Sequence, residues 1–354
     1  MYAASHSSAS NPTPAMAQQW ILRKGTKASG FRYVTSAGKP VKKRDHLERI
    51  DDLRIPPAWT GVHIAASPKP AIQAWGFDVR GRKQYKYHAR AVEKGSLRKH
   101  YRVRQLGTDL PQLRRKLSDD FHRKGFPGEK ICAGIVLLIS SSFFRVGSEK
   151  YERENNTFGI TTLRKRHVSV AGDVVIFEYA GKRGITQKQF IDSHDISKFV
   201  KSLLTTPGPR LFRYQEDGKW LNVDARGVND YLKDLADFPY TAKDFRTWGG
   251  TLRLATILAD IGSAPNERAR NKNVIAAVRF VAAELGNTPA IARKSYVHPV
   301  IISRYLQNGS TIQIDLARKS RRRPTRFGHV AEEVALIDFL EEHFPDRRKT
   351  RRAS

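Results

Sequence analysis

Three stretches of the chain carry apolar residues at the i, i+3, i+4, i+7 spacing of one helix face. Ile196, Phe199, Val200, Leu203 and Leu204 form the first, with Ser193 or Asp195 placed to cap it. Val228, Tyr231, Leu232 and Leu235 form a second. Val274, Ile275, Val278 and Val281 form a third, closed by Gly286 where helices commonly end. All of these positions are expected in a core. The run Ile131 to Phe144 is shorter than a membrane span and contains Ser140, Ser141 and Ser142, so it predicts a buried helix. Val330 to Phe344 predicts an amphipathic acidic helix.

A different pattern precedes the stripes. From Trp20 to about Tyr87, short β-prone pieces (Phe31 to Val34, Val62 to Ile64, Ala74 to Phe77) alternate with turn signals such as Pro56-Pro57. They predict a small β-rich domain, and Glu93 to Ser96 reads as a polar connector to the helical part. One β interruption is expected further on. His167 to Lys182 holds two β-prone runs around Gly172-Asp173, a hairpin signal, and Gly181-Lys182-Arg183-Gly184 sets Lys182 at a second turn. The fold class is therefore α+β, a β-rich N-terminal domain followed by a mainly helical domain that carries a β-hairpin. The expected boundaries are a disordered leader at 1–19, the β-rich domain at 20–96, the helical domain at 97–316 and a basic extension at 317–354.

Charge narrows the partners. The 354 residues carry 64 Lys and Arg against 34 Asp and Glu, a formal charge of +30. Residues 316–354 hold 11 basic and 6 acidic residues, so the body of the chain keeps +25. A polyanion is the expected partner. The Arg318 to Arg326 run reads as a solvated tail with nonspecific affinity for DNA. Cys132 is the only cysteine, which excludes disulfide frameworks and Cys-ligated zinc. Neither a metal cluster nor a Gly-x-x-x-x-Gly-Lys-Ser/Thr phosphate loop is visible, so no cofactor is expected.

After the turn at Gly81, basic and aromatic residues interleave through Arg82, Lys83, Gln84, Tyr85, Lys86 and Tyr87. Such a piece suits an edge strand shielded by lysines, or a strand laid against DNA with cations on phosphates and Gln or Tyr on bases. Three other stretches supply what metal-free phosphodiester cleavage needs, namely a nucleophile, cations for the non-bridging oxygens and an acid for the leaving oxygen. They are Arg145 to Tyr151, Lys243 to Trp248, and Gly286 to Pro289 running on to Arg293 through Pro299. With Gly181-Lys182 they give the order Arg, Lys, Arg, Asn, Tyr. Singly, each residue is more often a salt-bridging, half-buried or solvated side chain.

In this ordered set, and in Tyr151 to Gly159, the chain resembles the poxvirus-like branch of type IB DNA topoisomerases, above all its bacterial members. The likeness runs from about Trp20 to about Leu340. It implies a catalytic domain of the tyrosine recombinase and type IB topoisomerase kind, and relaxation of supercoiled duplex DNA without ATP or an obligatory metal. Tyr296 is implied as the nucleophile that becomes linked to a DNA 3′-phosphate. Arg145 and Arg246 would neutralise the transition state, and Lys182, together with Arg145, would protonate the leaving 5′ oxygen. Asn287 would hydrogen-bond a non-bridging oxygen where the viral enzymes carry His; an amide donates but supplies neither proton nor charge. Arg80, Gln84, Tyr85, Tyr87, Tyr151 and Lys243 would contact DNA. The resemblance further implies a cytoplasmic, nucleoid-associated bacterial enzyme, a monomer that clamps duplex DNA between two domains and meets no membrane.

Two rivals remain at this point. A tyrosine recombinase uses the same covalent chemistry but usually carries His three residues before the second Arg, where this chain has Lys243. A noncatalytic basic DNA-binding protein would explain the charge and the interleaved strand alone. Geometry adds one expectation. On an unbroken helix Asn287 and Tyr296 would stand about 13 Å apart along the axis, at roughly 1.5 Å per residue. A shared phosphate therefore requires a helix break between them.

Overall fold

The computed structural model of the chain describes residues 19–314 and 326–345. The expected leader and most of the Arg318 to Arg326 run lie outside the described residues. By contact the chain divides into two units, Met1–Arg98 and Lys99–Ser354.

The first unit is built on a five-stranded antiparallel sheet in the order β2-β1-β3-β4-β5, from strands β1 (Trp20–Thr26), β2 (Gly30–Thr35), β3 (Thr60–Ala65), β4 (Ile72–Phe77) and β5 (Lys83–Tyr87). Helix α1 (Arg44–Asp52) lies between β2 and β3 in sequence. Its Ile50 joins Ile21, Val62, Ile64 and Ala74 in a small core. Because strand side chains alternate, the residues between these, Trp20, His63 and Trp75, fall on the opposite face. There the His63 and Trp75 rings stack at 3.9 Å and Trp20 meets both edge-on.

The second unit contains one large core. Helix α2 (Ala89–Phe121) crosses the division between the units, so Glu93 to Ser96, expected as a polar connector, are helical. No helix was read there because these residues are exposed all round and carry no stripe. Within the second unit the same helix buries Val103, Leu106, Leu110, Leu113 and Leu117, a regular seam. Helix α3 (Gly128–Ser142) is the predicted buried helix. Helix α5 (His194–Leu204) starts at Ser193, whose Oγ accepts from Ile196 N, and α6 (Ala225–Leu235) starts at Asp224 in the same way. Helices α4 (Glu149–Asn155), α7 (Ala242–Ile261), α8 (Glu267–Glu284), α9 (Pro289–Ser295), α10 (Pro299–Asn308) and α11 (Ala331–His343) are the other α-helices among the described residues. Ile275 on α8 departs from expectation: it is 48% exposed, while Val274, Ala277, Val278 and Val281 carry the packing. No single described helix is long and apolar enough to cross a membrane.

The predicted hairpin is the first part of a three-stranded sheet, β6 (Val168–Ala171), β7 (Val174–Ala180) and β8 (Thr186–Asp192). The strand β8 was not foreseen, because its exposed Thr186, Lys188 and Phe190 alternate with two glutamines and leave little apolar signal. A small ribbon, β9 (Arg213–Glu216) with β10 (Lys219–Asn222), stands apart.

Candidate active site

The helix break predicted between Asn287 and Tyr296 is present. Helix α8 stops in a Schellman motif: Gly286, at φ +60°, donates to Ala283 O and Asn287 N donates to Ala282 O. The axis of α9 then turns 92° from that of α8. This ending leaves carbonyls at the negative end of the helix dipole, and two guanidiniums take them. Arg246 Nη2 donates to Leu285 O at 3.0 Å. Arg145 Nη2 donates to Gly286 O and, at 2.8 Å, to Asn287 Oδ1. The Asn287 amide is thereby oriented with its oxygen on Arg145. Asn287 Nδ2 is buried without a hydrogen-bond partner among the described residues, and the Arg246 nitrogens that Leu285 O does not take face Tyr296. Buried donors on two neighbouring side chains suit an anion's oxygens.

Arg145 is held from behind by glycines. Ile160 N donates to Arg145 O at 2.7 Å and Thr161 N to Val146 O at 2.8 Å. A Cβ on Gly159 would lie 2.5 Å from Gly147 Cα and 2.7 Å from Arg145 O, so the two backbones meet only because neither residue has a side chain. That contact explains Gly147 and Gly159 at the two ends of the stretch. The intervening α4 is anchored by Glu152, 8% exposed, which accepts from both Arg164 and Arg210. Tyr151, on the same helix, is 49% exposed.

Tyr296 caps the C-terminus of α9, its N–H bonded to Ala292 O. Its backbone rests on α7, where a Cβ on Gly250 would lie 2.7 Å from Tyr296 O, and Thr251 Oγ1 accepts from His298 N at 3.0 Å. The same helix presents the cations. The Arg246 guanidinium carbon is 5.1 Å from the centroid of the Tyr296 ring, and Lys243 Nζ is 5.7 Å from it. Burial pushes Arg246 down to about 10, with the facing Tyr296 acting in the opposite direction, so the group stays charged at neutral pH. Asp244, in a capping box with Thr241, pairs with Arg102 at 2.9 Å and fixes the start of α7.

Lys182 is exposed, in the turn joining β7 to β8. Gly181 N bonds Ile185 O and Gly184 N bonds Gly181 O, while Arg183 takes a left-handed conformation at φ +68°. The structure thus gathers Arg145, Arg246, Asn287 and Tyr296 around one helix end. It sets Lys182 on a loop whose next strand reaches that end through Gln187, the neighbour a Cβ on Gly286 would strike.

Sequence reasoning missed several supporting residues. Lys99 Nζ donates to Ser295 O, beside the tyrosine, at 3.2 Å; burial, then the neighbouring Lys243, push Lys99 down to about 8. Tyr179 is 6% exposed, and burial pushes its phenol up against the opposing influence of Gln189, Arg145 and Arg246. Neither residue belongs to a local motif, so only long-range folding identifies them. The double glycine Gly249-Gly250 inside α7 was the one available signal, since glycine within a helix implies close approach.

In the first unit, Tyr85 and Tyr87 are 40% and 52% exposed, with ring centroids 5.8 Å apart, and Lys83 Nζ lies 3.8 Å from the Trp75 centroid. Arg80 sits in the exposed turn before β5. Gln84 differs from these: it points to the other face by alternation, and its Nε2 donates to Asp78 Oδ2. Asp78 also pairs with Arg82, whose hydrogen bonds hold its carboxyl well below the usual range.

Comparison with known proteins gives the family of the chain. Residues 88–322 match the family described as eukaryotic DNA topoisomerase I, catalytic core, and residues 30–78 match bacterial DNA topoisomerase IB, N-terminal domain. The chain belongs to the type IB DNA topoisomerases, and its substrate is DNA. A DNA topoisomerase 1B of Acanthamoeba polyphaga mimivirus is 32% identical over 284 residues, 78% of this chain and 84% of its own length. The vaccinia virus (strain Copenhagen) DNA topoisomerase 1B is 22% identical over 232 residues, 64% of this chain and 70% of its own. With these relatives and the bacterial N-terminal domain, the protein is a poxvirus-like type IB enzyme. DNA topoisomerase 1 of Mycosarcoma maydis is 25% identical over 66% of this chain but only 25% of its own length.

Proposed function

We propose that the protein relaxes supercoiled duplex DNA by cutting and rejoining one strand through a 3′-phosphotyrosyl intermediate formed on Tyr296. The observation that carries this reading is the convergence of Arg145, Arg246 and Asn287 on the end of α8, with the Arg246 guanidinium facing the Tyr296 ring. The Tyr296 oxygen attacks phosphorus and gives up its phenolic proton to water, a P–O bond to tyrosine forms, and the P–O5′ bond breaks. Lys182 gives a proton to the departing 5′ oxygen and takes it back on rejoining. The two guanidiniums and the free Nδ2 of Asn287 hold the non-bridging oxygens. Since one phosphodiester replaces another, bond energy is kept and no nucleotide is consumed.

On this reading the catalytic unit has a recombinase-like fold, acts in a monomer that clamps duplex DNA, and works among the DNA of the bacterial cytoplasm. Arg80, Tyr85, Tyr87, Tyr151 and Lys243 are exposed for DNA contact, and Gln84 would have to leave Asp78 to reach a base.

The test uses a supercoiled plasmid in EDTA without nucleotide. Wild-type protein is expected to relax it and to leave a covalent adduct when quenched with denaturant. Tyr296→Phe is expected to do neither while retaining noncovalent DNA binding in a gel-shift assay. Relaxation by Tyr296→Phe would refute the assignment.

A further inference from the structure

The inward side of β8 carries Gln187 and Gln189, both half-buried, between the exposed Thr186, Lys188 and Phe190. Apolar residues are the usual occupants of inward strand positions, so two amides there need a reason. Gln189 has one in Tyr179, the phenol beside Arg145 and Arg246, whose charged form the amide favours.

Gln187 lies between two glycines from different parts of the site. A Cβ on Gly181, the residue before Lys182, would lie 2.6 Å from Gln187 Cγ. A Cβ on Gly286 would strike Gln187 Oε1 and lie 3.4 Å from Arg145 Nη1. Gly286 needs glycine for its positive φ in any case. Gly181 does not: at φ −86° its conformation is open to other residues, and the crowding there comes from Gln187 and, at 3.2 Å, from Ile185 O. The amide also leans on the turn itself, Nε2 reaching Thr186 O at 3.3 Å and Ile185 O at 3.5 Å. One side chain therefore touches the backbone just before the lysine, the backbone that follows its turn, and the helix end that holds Arg145 and Asn287.

We propose that Gln187 is a positioning residue for strand cleavage, a spacer that sets the Lys182 turn at its working distance from the Arg145 and Asn287 edge. The inference rests on Lys182 being the general acid. Its physical basis is the steep dependence of proton transfer on placement, while the turn, with Arg183 and Gly184 both at positive φ, is exposed from Lys182 to Thr186.

The experiment measures single-turnover cleavage by Gln187→Ala, Gln187→Met and Lys182→Ala on ordinary DNA and on DNA whose bridging 5′ oxygen is sulfur, a leaving group that needs little proton donation. Gln187→Ala is expected to be slowed about tenfold or more on ordinary DNA and to recover most of that loss on the sulfur substrate, with DNA affinity and melting temperature unchanged. Gln187→Met, which keeps the length without the amide, is expected to lose less. A Gln187→Ala enzyme at wild-type rate, or one slowed equally on both substrates while Lys182→Ala recovers, overturns the inference and leaves the acid assignment standing. If Lys182→Ala fails to recover on sulfur, the acid assignment falls and the inference falls with it.

Discussion

At the scale of single residues, the proposed mechanism separates groups that meet the non-bridging oxygens from the one that meets the leaving oxygen. Arg246 is 2% exposed and locked to Leu285 O, as a fixed electrostatic clamp should be, whereas Lys182 is exposed on a turn. Lys182→Ala should slow cleavage of ordinary DNA by roughly 10²-fold or more, the range of general-acid loss, and recover on the sulfur substrate. Arg246→Ala should be slow on both, since its proposed oxygens are the same in each. Arg145→Ala should recover in part if it assists the lysine. Single-turnover rates check all three, and equal recovery of Lys182→Ala and Arg246→Ala would show that the roles are wrongly divided. The identities of these residues were legible in the sequence, because each sits in a short motif whose order could be matched. The bond from Arg145 to Asn287, 142 positions apart, was not.

At the scale of elements, the turn that carries Tyr296 is fixed by what packs behind it. His298 is fully buried at the start of α10, its ring 4.6 Å from that of His100 and 4.7 Å from that of Phe344, the residue after α11. Burial pushes His298 down to about 3, with His100, Lys99 and Arg104 adding to the effect, and it pushes His100 to about 4. Both are neutral in the fold, so the unfolded chain binds protons first as pH falls below 6.5. Their contribution is whole above 6.5 and is lost toward 4 and 3, at roughly 1.4 kcal/mol per pH unit for each proton. Melting temperature should fall across that window. His298→Asn, which can still cap α10, should flatten the decline, and an unchanged acid limb would show that the pair does not govern it. The stripes of α5 and α6 were readable in the sequence because burial there is one-sided. The exposed start of α2 and the polar β8 were not, because neither carries the periodicity of a buried face.

At the scale of the whole molecule, charge dominates. A body carrying +25 must release many condensed counterions on binding duplex DNA, and log affinity should fall with log salt at about −0.9 per phosphate neutralised. A titration from low to physiological salt should therefore show a steep slope, and a nearly flat response would contradict extensive phosphate contact. The Arg114 to Glu333 pair, with Glu333 only 4% exposed, ties α11 into the catalytic unit, so the C-terminal acidic helix belongs to the fold as much as to the surface.

The sequence by itself determined the polyanionic partner, the β-rich and helical parts and the family, and it marked the candidate residues for the chemistry. All of these depend on composition, local periodicity or short ordered motifs. The need for a helix break before Tyr296 followed from residue spacing alone, since a straight helix would hold Asn287 too far away. Only the tertiary structure decided what that break accomplishes. It leaves the carbonyls of Leu285 and Gly286 open to two arginines from distant segments, seats Tyr296 on the bare backbone of Gly250, and brings Gln187 between Gly181 and Gly286. Those contacts join residues far apart in the chain through shape and unpaired backbone groups, which no local pattern of side chains records.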